Sequence, residues 1–313
     1  MTNDDGPPSD QSSPYVLPFV KQLEAAGHQV SVVLPHTQRS WIGKAHIVGQ
    51  DVMATYYWPD SGEHGVPRDA SSSDSKPWVL VNSTPASCAQ LGLSHCFKDR
   101  PPVDLVVSGP NYGRNTTAVF ALSSGTLGAA LEAAVCGARA IALSFAFFDR
   151  TNNPDIVAQS CRHSVKVVEW LAKNGTWDAG RVYSVNVPVK QGVESQPTMW
   201  THMLQNQWSS GTCFEEMEAP VEDPETEENH LRRQETGSEN GDGKTESREQ
   251  GQGEKKWGPR HYKWAPKFTD VYNSVEAAGP GSDGWAVKEG QTSITALTAN
   301  FMHIGGFQGE LKL

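Results

Sequence analysis

VDLVVSGPNYGRN, residues 103–115, is the stretch on which the fold turns. An apolar run broken only by Asp104 gives way at once to a loop of Ser108, Gly109, Pro110, Asn111, Gly113 and Asn115. The first half has the composition of a strand buried on both faces, and the second half has the chemistry of a turn. In open α/β sheets, ligands bind outside the carboxyl ends of the strands, where such loops converge. Asn111 and Asn115, four residues apart, offer neutral oxygen ligands and amide donors there, although a turn-rich loop without further role would have the same composition.

The same grammar repeats outward from this segment. Gln29–Leu34, Trp78–Val81, Ala140–Ser144 and Arg181–Val187 are short runs rich in β-branched and other apolar residues. Between them, Pro14–Ala26, Thr84–Phe97, Thr126–Cys136 and Asp155–Asn174 have helical spacing, with Gly27, Gly137 and Gly175 as stops. Strand and helix in alternation predict an α/β fold of three α/β/α layers, Rossmann-like, around a mostly parallel sheet. Asp51–Lys76, rich in Ser, Asp, Gly and Pro, reads as a surface excursion, and Thr198–Cys213 as irregular strands. Tyr262–Asn300 would close the sheet or build a C-terminal arm or hairpin.

Charge is concentrated in one place. Residues 215–254 hold fourteen acidic side chains against four basic ones, a surplus equal to the whole formal charge of −10 on the 313-residue chain. Their only apolar side chains are Met217, Ala219, Val221 and Leu231, too few to offset the entropy of ordering them. The expectation is a single domain, 1–313, carrying an acidic disordered insert at 215–254. No apolar run of membrane-spanning length occurs, and the opening MTNDDGPPSD has neither the basic nor the apolar region of a secretory leader, so a cytoplasmic protein with no membrane partner is expected. Five cysteines without CxxC spacing fit reduced thiols. The lack of a basic stripe argues against stable nucleic-acid binding. Neither GxGxxG, GxxxxGK[ST] nor GxSxG is present, which removes the dinucleotide, P-loop and nucleophile-elbow readings.

Four polar segments follow the strand-end grammar. They are Asn3-Asp4-Asp5-Gly6, His36 to Ser40, the Ser108 to Asn115 loop, and Ser123-Ser124-Gly125-Thr126 at a helix start. Singly, each has an ordinary structural account: an Asx turn, a polar loop, a turn-rich loop, a helix cap. Together, two carboxylates with serine and asparagine oxygens describe a site for a hard divalent cation, Mg²⁺ or Mn²⁺. A hydroxyl-lined helix N-terminus beside it describes a phosphate seat. Cation plus phosphate seat implies phosphoryl chemistry, with a metal-activated water attacking phosphorus.

NDDGPPS, VLPHTQRSWIGKAH, SGPNYGRN, FALSSGT, YSVNVP and DGWAVKEGQTSIT, in that order, resemble the SurE family of metal-dependent phosphatases and nucleotidases, in its fungal variety. The resemblance runs from Asn3 to about Phe301, interrupted at Asp51–Lys76 and by the acidic insert. It implies a SurE fold and hydrolysis of phosphate monoesters, commonly 5′- and 3′-nucleoside monophosphates, with acid phosphatases among fungal relatives. It also implies Asp4, Asp5, Ser40 and Asn111 as metal ligands and Asn115 with Ser124, Gly125 and Thr126 as the phosphate site. Asp4, Asp5, Asn111 and Asn115 are then the catalytic set, and a homodimer or tetramer is expected. Some fungal relatives continue into a tubulin–tyrosine-ligase-like domain.

Two departures from the pattern set further expectations. Family members begin with a hydrophobic strand ahead of NDDG, whereas only Met1 and Thr2 precede Asn3 here. A shortened N-terminus would place both aspartates on a fraying end and weaken the hold on the metal. The alternative to an enzyme is therefore a catalytically impaired nucleotide- or partner-binding relative. At Ser87, bacterial members usually carry an aspartate, which puts the support of the site in question more than the reaction.

Overall fold

The computed structural model describes residues 1–64, 76–148, 152–209, 211–217, 231, 234 and 260–301. Five strands form the central sheet in the order β5-β6-β7-β11-β8: β5 is Val106–Tyr112, β6 Ala140–Phe147, β7 Arg181–Val189, β8 Thr198–Trp200 and β11 Thr292–Thr298. β5, β6 and β7 are mutually parallel, whereas β11 runs antiparallel to β7 and carries β8 parallel on its outer edge. A second sheet has the order β1-β4-β2-β3, with β1 Val33–Pro35, β2 Ala54–Trp58, β3 Glu63–His64 and β4 Trp78–Val81.

Strand β6 shows how the sequence builds the layers. Its residues AIALSFAF alternate in size as well as in face, and every one is buried. Ile141, Leu143, Phe145 and Phe147 pack on one side with α1 (Val16–Ala25) and α5 (Pro154–Asn174). Ala140 and Ala142 point the other way, toward α4 (Gly125–Val135). Because α4 presents Ala129, Ala130, Ala133 and Ala134, small residues meet small residues and the helix lies close on the sheet. Helix α2 (Pro85–Ser94) shares that face, so α1 and α5 cover one side and α2 and α4 the other. This is the expected three-layer α/β/α arrangement.

The first two residues join the two sheets. Thr2 bridges Ser108 in parallel sense, its N–H donating to Val107 O at 3.1 Å, while Gly109 N–H donates to Thr2 O at 2.8 Å. On the other side Val33 N–H donates to Met1 O at 3.0 Å. Thr2, Asn3, Asp4 and Asp5 are all buried, which corrects the expectation of a fraying end: backbone pairing on both sides holds the aspartates. Behind Met1 the seam opens into a cavity of about 400 Å³ lined by Val30, Leu93, Phe97, Leu105 and Val107 among others. The strands expected at Gln29–Leu34 and Val103–Val107 start only at Val33 and Val106, where Met1 and Thr2 supply a partner. Of their earlier residues, Gln29, Val30, Ser31, Val103, Asp104 and Leu105 line that cavity and form no strand.

Other expectations are corrected in detail. Asp51–Lys76 is not merely a surface excursion, because β2 pairs antiparallel with β4 and buries Tyr57 and Trp58. Among the described residues of Thr198–Cys213, only Thr198–Trp200 is strand. Helices α3 (Thr117–Ser123), α6 (Phe268–Ala278) and α7 (Asp283–Lys288) escaped the periodicity reading because two of them span barely two turns. Tyr262–Asn300 does close the central sheet through β11, while β10 (His261–Trp264) pairs antiparallel with β9 (Phe214–Met217), so that Glu215 and Glu216, placed in the acidic insert from sequence, lie in a strand. The remainder of that insert, apart from Leu231 and Gln234, lies outside the described residues.

Candidate active site

The turn at Asn3–Gly6 is closed by the asparagine. Gly6 N–H donates to Asn3 Oδ1 at 3.0 Å and Asn3 Nδ2 returns to Gly6 O at 2.9 Å. Asn3 therefore closes this turn, and the two carboxylates next to it serve elsewhere. Asp5 accepts from Tyr112 N–H at 2.6 Å, against the end of β5. Asp4 faces a pocket and accepts from the Thr126 hydroxyl at 2.5 Å.

That pocket is lined by Asp4, Ser40, Asn111, Asn115, Ser123 and Ser124, with Arg114 at its side. Five of the eight residues expected from sequence thus converge on one cavity, while Asp5, Gly125 and Thr126 stand directly behind its wall. The pairing of β5 with β6 shifts register between Ser108 and Asn111, a bulge that re-aims the loop. Gly109, at φ +122°, is required there, because a Cβ would come within 2.0 Å of Leu143 O. Asn111 Nδ2 donates to Gly113 O at 2.9 Å. Asn115 is held twice, by its N–H to Asn186 Oδ1 at 2.8 Å and its Nδ2 to Ser144 Oγ at 2.8 Å. Asn111 so commits its amide nitrogen, which leaves carbonyl oxygen as its natural offer to a cation, while Asn115 Nδ2 has a second hydrogen to donate.

Ser124 caps α4, its hydroxyl accepting from Leu127 N–H at 3.0 Å, and the first amides of a helix lack intrahelical acceptors. The positive end of α4 therefore opens beside Asp4. The approach is so close that a Cβ on Gly125 would sit 2.8 Å from Asp4 Cβ. Asp4, Ser40 and Asn111 offer oxygen donors, and such a set fits a hard divalent cation that keeps waters in its shell. Among the described residues, no group of three or more His, Cys, Asp or Glu could hold a metal, so any cation in this pocket would draw part of its shell from neutral oxygens.

Sequence reasoning missed several contributors. Trp41, Tyr112, Phe120 and Phe268 wall the pocket, and Leu231 of the acidic tract reaches it. Trp41 stands at the centre of an aromatic cluster, with Phe120, Trp264 and Phe268 rings at 5.7, 5.6 and 6.1 Å. Asn186 and Ser144 orient Asn115 from the neighbouring strands, visible in retrospect as polar residues inside apolar runs. Arg39 lies outside the pocket, its N–H donating to Asp4 O at 2.7 Å, whereas Arg114 faces Phe148 and Tyr272. His28 pairs with Glu169 and His163 with Thr292, both away from the site.

Fold and pocket together define an α/β protein with an oxygen-lined pocket at the carboxyl ends of its parallel strands, beside the N-terminus of α4. The family model described as Survival protein SurE matches residues 1–210, and the chain belongs to the SurE family. A solved SurE protein from Aquifex aeolicus shares the fold at a TM-score of 0.60 and 22% identity, covering 96% of this chain and 93% of that one. Among curated proteins, a 5′-nucleotidase SurE of Nitratidesulfovibrio vulgaris is 34% identical over 54% of this chain and 59% of its own. A probable tubulin–tyrosine ligase of Saccharomyces cerevisiae is 30% identical over 100% of this chain and 42% of its own length. The chain thus spans about two fifths to three fifths of these two curated relatives. No single helix among the described residues is long and apolar enough to cross a membrane.

Proposed function

We propose that the chain hydrolyses phosphate monoesters, nucleoside monophosphates foremost, with Mg²⁺ or Mn²⁺ as cofactor. The observation that carries this reading is the convergence of Asp4, Ser40, Asn111 and Asn115 on the pocket into which the N-terminus of α4 opens. Asp4, Ser40 and Asn111, backed by Asp5, hold the cation. Asn115, Ser124 and the first amides of α4, at Gly125 and Thr126, receive the phosphate oxygens and stabilise the charge that develops on them. A divalent cation bound there supplies Lewis acidity to the phosphoryl group and lowers the pKa of an attacking water. Similarity to proteins named 5′-nucleotidases supports the substrate class.

The test is phosphate release from 5′-AMP and p-nitrophenyl phosphate by the full chain, with Mn²⁺ or Mg²⁺ added or chelated, alongside Asp4→Asn. Turnover that survives both chelation and the substitution would remove the reading. Nucleotide binding without turnover would leave a binding protein instead. Light scattering of the same sample tests assembly as a dimer or tetramer.

A further inference from the structure

Glu132 lies on α4, two turns from the phosphate end, and is almost wholly buried. Three side chains from two other elements converge on its carboxylate. Gln90 of α2 donates to Oε1, Lys44 forms an ion pair with Oε2, and His46 Nε2 lies 3.5 Å from Oε1. Burial alone would raise its pKa, but hydrogen bonds from Lys44 and Gln90 and the charge of Lys44 hold it below the usual carboxylate value. A buried carboxylate persists only with such partners, so the three contacts are a requirement of the fold at this point.

Lys44 and His46 belong to the segment that leaves β1 and carries Ser40 and Trp41 into the pocket. This segment runs along α4 under close constraint. Gly43 N–H donates to Ser123 O at 2.9 Å, and a Cβ on Gly128 would come within 2.3 Å of Gly43 O. Thr84 donates to Ala45 O at 2.6 Å, and Ser87 meets His46 Nδ1 at 3.1 Å. Glu132 is the charged anchor at the far end of this contact. Ser87 therefore supports the same segment and stands away from the pocket.

We propose that Glu132 is a positioning residue: through Lys44 and His46 it fixes the segment bearing Ser40 and Trp41 against the helix whose N-terminus forms the phosphate seat. The proposal rests on the phosphomonoesterase reading for its effect on turnover, but not for its effect on the segment. It requires no contact between Glu132 and substrate.

The experiment compares the wild-type chain with Lys44→Met, Glu132→Gln and the double variant. Lys44 is partly exposed, and urea unfolding of each variant selects the folded ones for comparison, with Lys44→Gln, which keeps a donor for Oε2, taking the place of Lys44→Met should that variant not fold. Hydrogen exchange should accelerate in 41–46 in Lys44→Met, without change in β6, and the double variant should add little to the single ones. Half-saturating Mn²⁺ should rise on the order of tenfold with kcat nearly unchanged, and Lys44→Arg should restore it. Unchanged exchange in 41–46, or loosening spread through α4 and the sheet alike, would overturn the proposal. A loosened segment in a chain whose wild type turns over no phosphomonoester would remove the functional reading and leave the positioning role standing.

Discussion

Thr126 donates its hydroxyl to Asp4 Oδ1 over 2.5 Å, binding the first turn of α4 to a residue 122 positions earlier in the chain. The contact lies wholly inside the protein, so the hydroxyl aims the carboxylate and the helix offers its amides to the pocket. Thr126→Val keeps the shape and removes the donor. The expected outcome is metal affinity weaker by about 10 to 100-fold, with stability lower by about 1–3 kcal/mol, and recovery of both in Thr126→Ser. Calorimetric titration with Mn²⁺ and urea unfolding measure the two effects. Undiminished affinity in the valine variant would mean that Asp4 is held by its backbone alone.

Gly125→Ala separates helix propensity from site geometry. In an ordinary helix interior alanine gains about 1 kcal/mol over glycine. Here the added methyl would meet Asp4 Oδ2 and Ile42 Cγ2, each at 2.9 Å. Overpacking of this kind costs about 1–3 kcal/mol, so a lower melting temperature and a displaced Asp4 are expected, with loss of phosphatase turnover. A rise in melting temperature would show that the aspartate yields freely.

Much of this arrangement was legible in the primary structure because its chemistry is local. Asn111, Asn115 and Ser124 each stand just past an apolar run or at a helix start, and that position alone carries them to the carboxyl ends of the parallel strands. The aromatic wall was not legible, since Trp41, Phe120 and Phe268 are brought together from a loop, a short helix and a distant helix. Periodicity likewise gave no hint that β11 would enter antiparallel beside β7, because strand direction is set by the connection and not by the strand's own residues. β2 was hidden by its polar neighbours, although Tyr57 and Trp58 supply its buried face. The shortened strands at 29–35 and 103–112 have a different cause, the extent of the partner between them.

The N-terminal amine gives a pH dependence with a definite sign. Burial pushes its pKa from 8.0 down to about 5, while it donates to Ser31 O at 2.5 Å. The folded chain therefore binds fewer protons than the unfolded chain between these values, and stability rises with pH across that window. Three pKa units correspond to roughly 4 kcal/mol, fully lost below pH 5 and fully regained above pH 8. Urea unfolding of the 313-residue chain at pH 5, 6.5 and 8 measures the slope, and Nα-acetylation should abolish it. A slope unchanged by acetylation would assign it to other groups. An apolar extension of four or five residues, placed in the cavity behind Met1, should also remove the amine's contribution and raise the melting temperature by pairing 29–32 and 103–105.

Asp283 offers the last test, because its carboxylate serves three backbone donors at once. Oδ2 accepts from Thr117 N–H at 2.9 Å, and Oδ1 from Leu204 N–H at 3.0 Å and Gly284 N–H at 2.7 Å. Burial raises its pKa, and the three N–H groups oppose that rise. Thr117 is held at φ +67°, a conformation that costs a non-glycine residue about 1–3 kcal/mol and that begins α3 two residues beyond Asn115. Asp283→Asn turns one acceptor into a donor facing a donor, so at least one backbone N–H in the interior goes unmatched: Thr117 if the amide nitrogen takes the Oδ2 place, Leu204 and Gly284 if it takes that of Oδ1. The expected loss is about 2–3 kcal/mol of stability, with kcat reduced through Asn115 while half-saturating Mn²⁺ moves little. Urea unfolding with steady-state kinetics distinguishes this from a change at Asp4, which would move the Mn²⁺ dependence first.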